Sequence, residues 1–195
     1  SRQSIEAGPY LEALKARSLE VLLLTEPVDE YVMQSVREYK EKKIISADSE
    51  ELKLEKLDQD PEGKALNKKD TKSLCKWLKE SLKDKVSDVE TGERLIDSPV
   101  CIVGGDGLGG ASARRVMKMM QGGDNAMPAA PVKLQVNQRH PIIKGLSKLT
   151  ETDKETAELI ANQLLDNALA TANLLDDPRE MIARSYKAIE KLANQ

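Results

Sequence analysis

The chain has 195 residues, which is enough for one large domain or two small ones, and 32% of them are charged and 39% hydrophobic, as in an ordinary globular protein. The net charge of −3 argues against a nucleic-acid-binding protein, and no apolar run approaches the ~20 residues of a membrane span. One histidine and two distant cysteines disfavour a Cys/His zinc site. With no signal peptide at the N-terminus, we expect reduced thiols in an intracellular protein.

The beginning of the chain, residues 1–46, predicts a small α/β unit. Residues 4–18 have a helical pattern, and the apolar run at 20–25 predicts a strand that is buried on both faces. Pro27 opens a further helix, and residues 42–46 predict a second short strand. Two parallel strands with helices rarely form a stable sheet alone, so we expect another strand upstream.

The rest of the chain predicts a charged linker at 47–64 and then a mixed α and β unit. The strand at 132–136 alternates apolar and polar residues, which predicts one solvent-exposed face. The predicted elements are helices at 65–83, 152–174 and 178–193 and strands at 86–95, 100–103 and 132–136. His140, which precedes Pro141, is predicted to be a turn residue without a catalytic neighbour.

A glycine-rich stretch at 105–110, GDGLGG, matches the spacing of a dinucleotide-binding loop. The following helix is short, and no carboxylate follows at the distance that would hold a ribose. Asp106 would also repel the pyrophosphate, and Ala111 occupies the lysine position of a P-loop. We therefore favour a flexible loop, and a nucleotide site is the less favoured alternative.

The segment after this loop predicts a short amphipathic helix. Ala113, Val116, Met117 and Met120 fall on one side at helical spacing. Two interpretations stay open: the methionine side packs on the chain's own sheet, or it forms an adaptable contact surface for other proteins.

The last two predicted helices have apolar stripes that a two-helix hairpin cannot bury by itself. Asp177, Pro178 and Glu180 form a clear start signal for the second helix, and the short connection makes the helices antiparallel. The hairpin either lies on the preceding domain or pairs with a second copy, and we favour a C2 dimer.

Several segments together resemble one known family. GPYLEALKAR at 8–17 and EVLLLTEPVDEY at 20–31 look like the end of the middle domain of the heat shock protein 90 chaperones. NQRHPIIK at 137–144 and the segments at 165–175 and 177–192 look like its C-terminal domain. The resemblance covers nearly the whole chain and is weaker across residues 47–130.

The resemblance implies an α+β fold and a division into the end of a middle domain at 1–46, a linker at 47–64 and a C-terminal dimerisation domain at 65–195. This last domain would carry a short sheet, a protruding amphipathic helix and a helical hairpin that forms a four-helix bundle between subunits. The implied dimer-interface residues are Leu164, Leu165, Ala168, Leu169, Ala172, Ile182, Tyr186 and Ile189. The implied client-contact residues are Val116, Met117, Met119, Met120 and Tyr31.

The resemblance further implies the homodimerisation and client-contact portion of an ATP-dependent folding chaperone. Such a chain would lack the ATPase domain, so we expect no enzyme activity and no cofactor in it, while ATP and Mg²⁺ belong to the parent protein. We expect as partners a second copy and unfolded client proteins, and neither nucleic acid nor membrane.

The segment DDPREM at 176–181 resembles the mitochondrial form, and the end at Gln195 lacks the acidic tail of cytosolic eukaryotic members, so a mitochondrial or bacterial location is favoured. The alternatives are a nucleotide-binding enzyme domain that uses residues 105–110 and a purely structural dimerisation domain.

Overall fold

The computed structural model describes residues 2–55, 64–104 and 130–194, with the backbone alone at positions 27, 30, 31 and 34. These residues form helices, a two-stranded sheet and a three-stranded sheet. The predicted α+β class is therefore confirmed.

The N-terminal residues form short helices and a hairpin. They comprise helix α1 at Arg2–Glu6, a 3₁₀ turn at Pro9–Leu11, helix α2 at Glu12–Ala16 and helix α3 at Pro27–Ser35. Helix α3 begins at the predicted proline, after a capping box between Glu26 and Asp29. Strands β1 (Glu38–Tyr39) and β2 (Lys42–Lys43) pair in an antiparallel manner.

The predicted buried strand at 20–25 is wrong. These residues have no regular secondary structure, and the side chain of Leu22 is 70% exposed. No strand among the described residues pairs with the run, and a strand needs a neighbour for its backbone hydrogen bonds. The second predicted strand, at 42–46, is reduced to Lys42–Lys43 and belongs to a hairpin instead of a parallel sheet.

The larger sheet has β5 in its centre. Helix α4 (Lys68–Leu82) leads through a 3₁₀ turn into β3 (Val86–Thr91), and β4 (Val100–Val103) and β5 (Val132–Val136) follow. Strand β5 runs parallel to β3 and antiparallel to β4. The helix and two of the strands confirm the predictions, but β3 ends before the predicted residue 95.

Gly92 follows the end of β3 and lies close to the Gln135 side chain on β5. A Cβ atom at this position would lie 2.1 Å from Nε2 of Gln135, so a larger residue here would require the Gln135 side chain to move.

Three helices complete the chain: α5 at Pro141–Thr152, α6 at Lys154–Thr171 and α7 at Pro178–Ala193. Helices α6 and α7 confirm the two predicted C-terminal helices to within a few residues, whereas α5 was not predicted. Its sequence signal is Pro141 at the first helical position, followed by Ile143 and Leu146 at helical spacing, both 1% exposed or less.

The main core lies between one face of the larger sheet and helices α4, α5 and α6. Strands β4 and β5 contribute alternate apolar residues to it, as the two-residue period of a strand requires, whereas β3 contributes Val86 and Val89 on either side of a register irregularity. Its largest fully buried side chains are Leu78, Ile102, Leu134, Val136, Ile143, Leu146 and Leu165.

The opposite face of the sheet is also covered, by the N-terminal residues. Cys101 and Val103 pack there with Leu95 and Tyr10, and the Tyr10 hydroxyl donates a hydrogen bond of 2.9 Å to the carbonyl oxygen of Ile102. Gln135, expected on a solvent-exposed face, is only 5% exposed. The expected wet face of β5 is therefore wrong, because β5 is the central strand and both of its faces are covered.

Residues 47–52, which we name the strap, lie beside Gly104 at the end of β4. Ser49 forms a parallel bridge with Gly104, whose N–H donates to the Asp48 carbonyl at 2.7 Å. The buried guanidinium of Arg94 donates to the carbonyl oxygens of Ala47, Ser49 and Leu52. The first part of the predicted linker is thus held against the sheet, and the domain boundaries at 46 and 64 stay a prediction.

Candidate functional site

Helix α7 presents two different faces. The side that faces α6 carries the partly buried residues Met181, Arg184, Ala188 and Lys191. The other side carries Ile182, Tyr186, Ile189 and Leu192, which are 45%, 68%, 56% and 71% exposed. We name these four residues the apolar face of α7. Large apolar side chains grouped at helical spacing in this way are a typical mark of an interaction surface.

Helix α6 turns its apolar side toward the chain's own core. Leu164, Leu165, Ala168 and Ala172 are at most 6% exposed and belong to the main core, and Leu169 packs against it. Of the eight residues predicted to lie at a dimer interface, these five are therefore placed inside the chain. Ile182, Tyr186 and Ile189 are accessible to another molecule, and the interface role of all eight stays a prediction.

Polar contacts fix the antiparallel arrangement of α6 and α7. Arg184 forms a salt bridge with Asp166, whose side chain is largely buried. Near the other end, the Lys191 ammonium donates a hydrogen bond of 2.6 Å to the hydroxyl of Thr156 and lies 3.6 Å from the Asp153 carboxylate. One pair near the middle of α7 and one near its end hold the helix in one rotation, so its apolar face points away from α6.

The start of α6 is stabilised by the same group of residues. Asp153 is the N-cap and accepts hydrogen bonds from the backbone N–H and the hydroxyl of Thr156. These bonds, with the nearby Lys191 charge, hold the pKa of Asp153 below its ordinary value. At the start of α7, Asp177 is the N-cap, and its hydrogen bonds with Arg179 lower its pKa to about 2. The predicted start signal of α7 is thus confirmed.

His140 is the N-cap of α5. Its Nδ1 atom accepts a hydrogen bond of 3.1 Å from the backbone N–H of Ile142. The residue precedes the helix, as expected of a turn position, but it also satisfies one of the free N–H groups of the first helical turn.

A further anchor, which the sequence did not indicate, is Glu12 on α2. One oxygen of its carboxylate accepts hydrogen bonds from the backbone N–H groups of Ile96, Asp97 and Ser98, at 2.8, 2.9 and 3.1 Å. The other oxygen accepts from the Ser98 hydroxyl. Sequence reasoning missed Glu12 and also Arg94, because each acts on backbone atoms about 40 residues or more away.

The predicted client-contact residues Val116, Met117, Met119 and Met120 lie outside the described residues, and so do the glycine loop at 105–110 and the side chain of Tyr31. Their roles stay predictions.

The described residues contain no group of His, Cys, Asp or Glu side chains that could hold a metal ion. Burial raises the pKa of the Cys101 thiol to about 12, so this thiol is a protonated core residue. Cys75 is a free thiol as well, with a pKa raised mainly by burial. Among the described helices, none is long and apolar enough to cross a membrane.

Comparison with known families gives a match over the whole chain. The model of the Hsp90 protein family matches residues 1–195. The chain belongs to the Hsp90 family. The recognition made from residues 8–31 and 137–192 is thereby confirmed.

Relatives come from bacteria and from eukaryotic organelles. The chain is 35% identical over 200 residues to the chaperone protein HtpG of Desulfotalea psychrophila, covering 100% of this chain and 32% of that protein. It is 37% identical to HtpG of Desulfitobacterium hafniense, over 98% of this chain and 31% of that protein. It is 34% identical to the mitochondrial heat shock protein 75 kDa of Bos taurus, over 98% of this chain and 28% of that protein. This Hsp90-family chain thus spans about a third of the length of these relatives.

Proposed function

We propose that this chain is the homodimerisation and client-contact portion of an ATP-dependent molecular chaperone that assists protein folding. Relatives named as chaperones support the general function. The single observation that carries the dimerisation role is the exposed apolar face of α7.

The exposed apolar residues on this face lie together instead of being scattered. Leu192 and Tyr186 are each about 70% exposed beside the half-exposed Ile182 and Ile189, and a contiguous apolar patch of this kind is typical of an interaction surface. Two copies related by a twofold axis would bury this face against itself, and each would add a helical hairpin to a four-helix bundle. The buried residues of α6 would then support the interface from within each subunit.

The client-contact role rests on the amphipathic pattern at 113–120. Methionine side chains are flexible and polarisable, so a row of them suits contact with many different apolar segments. In this proposal the chain binds no cofactor and catalyses no reaction, and ATP hydrolysis with Mg²⁺ belongs to the parent protein. The relatives favour a bacterial or mitochondrial protein.

The dimer is tested with the paired substitution Ile182→Asp and Ile189→Asp in the full chain. Burying four unpaired carboxylates at a twofold interface is strongly unfavourable, so we expect the dissociation constant to rise at least about a hundredfold. Light scattering after size exclusion would show a dimer for the unchanged chain and a monomer for the variant at the same concentration.

The control is Ala183→Asp with Lys187→Asp, which places two aspartates on an exposed side of α7 away from its apolar face and changes the net charge by one unit more than the test variant does. This variant should remain dimeric. A monomeric unchanged chain at tens of micromolar, or equal loss of dimer in both variants, would refute the proposed interface.

Titration calorimetry with ATP, NAD and FAD distinguishes the proposed function from the rival nucleotide-binding function. Our proposal predicts no heat of binding for this chain. Micromolar binding that Gly107→Val abolishes would favour the enzyme domain instead.

A further inference from the structure

Helix α4 carries a row of lysines along one side. Lys68, Lys69, Lys72, Lys76 and Lys79 are all exposed, and we name them the lysine stripe. At about 100° per residue they fall within an arc of about 100°, and no carboxylate falls within that arc. The segment from Asn67 to Lys85 contains seven lysines and three carboxylates, although the whole chain has a net charge of −3. Positive charge is therefore concentrated on this one helix side.

The rest of α4 fixes the direction of the stripe. Leu74, Leu78 and Leu82 are at most 2% exposed and anchor the helix in the main core. The stripe lies about 130° around the helix from these leucines, so it faces solvent. A helix held in the core by three leucines presents Lys69, Lys72, Lys76 and Lys79 about one helical turn apart. Lys68 adjoins Lys69 at the start of this row.

Among the residues that the structure describes, few of these charges have an ion-pair partner. Lys79 donates to Asp88 at 2.9 Å, and Lys76 lies 3.8 Å from Glu80. Among the described residues, Lys68, Lys69 and Lys72 have no ion pair. The N-terminal part of the stripe is thus open to a negatively charged partner.

We propose that the lysine stripe is a docking surface for an acidic polypeptide segment, rich in Asp and Glu, of a partner protein. Carboxylates spaced along an extended or helical segment can each approach one lysine of the row. Exposed pairs of this kind are individually weak, so the surface suits reversible binding through several contacts.

The composition of the stripe favours this partner over other polyanions. Between residues 67 and 85 there is no arginine, the residue that binds phosphate in a bidentate manner. The single aromatic residue of α4, Trp77, lies away from the stripe and is partly buried, so nucleic-acid bases have no stacking surface. The apolar side of α4 is inside the core and cannot enter a membrane. A short acidic segment can also contact the lysine stripe without reaching other parts of the surface. A long polyanion would extend beyond the stripe and be repelled by the net negative charge of the chain.

The test measures binding of a fluorescent 15-residue poly-glutamate peptide to the full chain at about 50 and 150 mM salt. The test variant is Lys68→Glu, Lys72→Glu and Lys76→Glu. The control is Lys53→Glu, Lys148→Glu and Lys154→Glu, which changes the net charge equally at exposed lysines of three other segments. We expect the dissociation constant to rise at least about tenfold for the test variant and less than about threefold for the control. Affinity should also fall with added salt.

Three outcomes would overturn the proposal: no binding of the peptide at 50 mM salt, an equal loss in both variants, or stripe-dependent binding only of a single-stranded oligonucleotide or of anionic vesicles. If circular dichroism shows that the test variant is unfolded, carbodiimide cross-linking of the peptide to the unchanged chain decides the matter. Cross-links should then concentrate on the lysine stripe, and cross-links spread over all exposed lysines would contradict the docking surface.

Discussion

Glu12 shows how one side chain joins distant parts of this chain. Its carboxylate accepts three backbone hydrogen bonds from residues 96–98 between β3 and β4. Those three N–H groups converge on one carboxylate oxygen, in the same way that consecutive backbone N–H groups bind an anion in other proteins. The contact ties helix α2 to the loop that leads into β4.

We predict that Glu12→Ala lowers the free energy of unfolding by about 1–3 kcal/mol, because three N–H groups lose a charged acceptor. Urea denaturation followed by circular dichroism measures this change. Glu12→Gln should give an intermediate loss, since its amide keeps one acceptor oxygen. The control is Glu20→Ala, at an exposed residue without a hydrogen bond among the described residues, and it should change stability by less than about 0.5 kcal/mol. Equal effects of the two alanine variants would contradict the anchoring role.

His140 makes the start of α5 sensitive to pH. Its Nδ1 atom can accept the Ile142 N–H only while it is unprotonated. Burial lowers the pKa of His140, the carboxylates of Glu12 and Asp97 oppose this shift, and Lys144 adds to it. The folded state therefore takes up the proton less readily than the unfolded chain does.

Because the folded pKa is depressed, the stabilising contribution of His140 is fully present above the unfolded pKa of about 6.5 and is lost as the pH falls through the folded pKa. We predict that unfolding free energies at pH 7.5 and 5.0 differ more for the unchanged chain than for His140→Asn, which can cap the helix without titrating. Since the chain has a single histidine, the difference between the two pH profiles isolates this residue. Superimposable profiles would contradict the effect.

At the scale of elements, the C-terminal hairpin separates what an apolar pattern reveals from what it leaves open. The bounds of α6 and α7 could be predicted because periodicity and caps are local signals. The pattern could not show whether the apolar side of each helix packs inside the chain or is exposed to another molecule. Leu165 is fully buried in the chain's own core, whereas Ile189 is 56% exposed. Only the position of α6 over the sheet distinguishes them.

The predicted methionine-bearing helix is tested by Met117→Asp with Met120→Asp. Each aspartate replaces an apolar contact of about 1.5–3 kcal/mol, so we expect suppression of aggregation of a chemically denatured test protein to require at least about tenfold more chain. Light scattering should show an unchanged dimer. The control is Arg114→Asp with Lys118→Asp, on the opposite side of the predicted helix. If the methionine variant suppressed aggregation as well as the unchanged chain, the purely structural dimerisation role would be favoured.

At the scale of the whole molecule, the larger sheet joins the two ends of the chain. Helices α4, α5 and α6 cover one face, and residues around Tyr10 cover the other. The strap, held by Arg94 and Gly104, adds a third connection at the sheet edge. The N-terminal segment and the C-terminal unit are therefore held together by specific hydrogen bonds as well as by apolar contact.

The sequence alone determined most helices, two of the sheet strands and the cap at Asp177, because these depend on periodicity and on neighbours close in the chain. The family and, with it, the α+β class came from the resemblance of segments such as residues 8–31 and 137–144 to known motifs. It failed at residues 20–25, since an apolar run becomes a strand only beside another strand. It also failed at Gln135, whose burial depends on what covers the second face of the sheet. The tertiary structure alone decided that α6 lies in the core, that the apolar face of α7 and the lysine stripe point to solvent, and that Glu12 and Arg94 act as anchors. These features depend on contacts between residues that are far apart in the sequence. Glu12 and Arg94 bind mainly backbone atoms, and no residue pattern encodes the positions of those atoms.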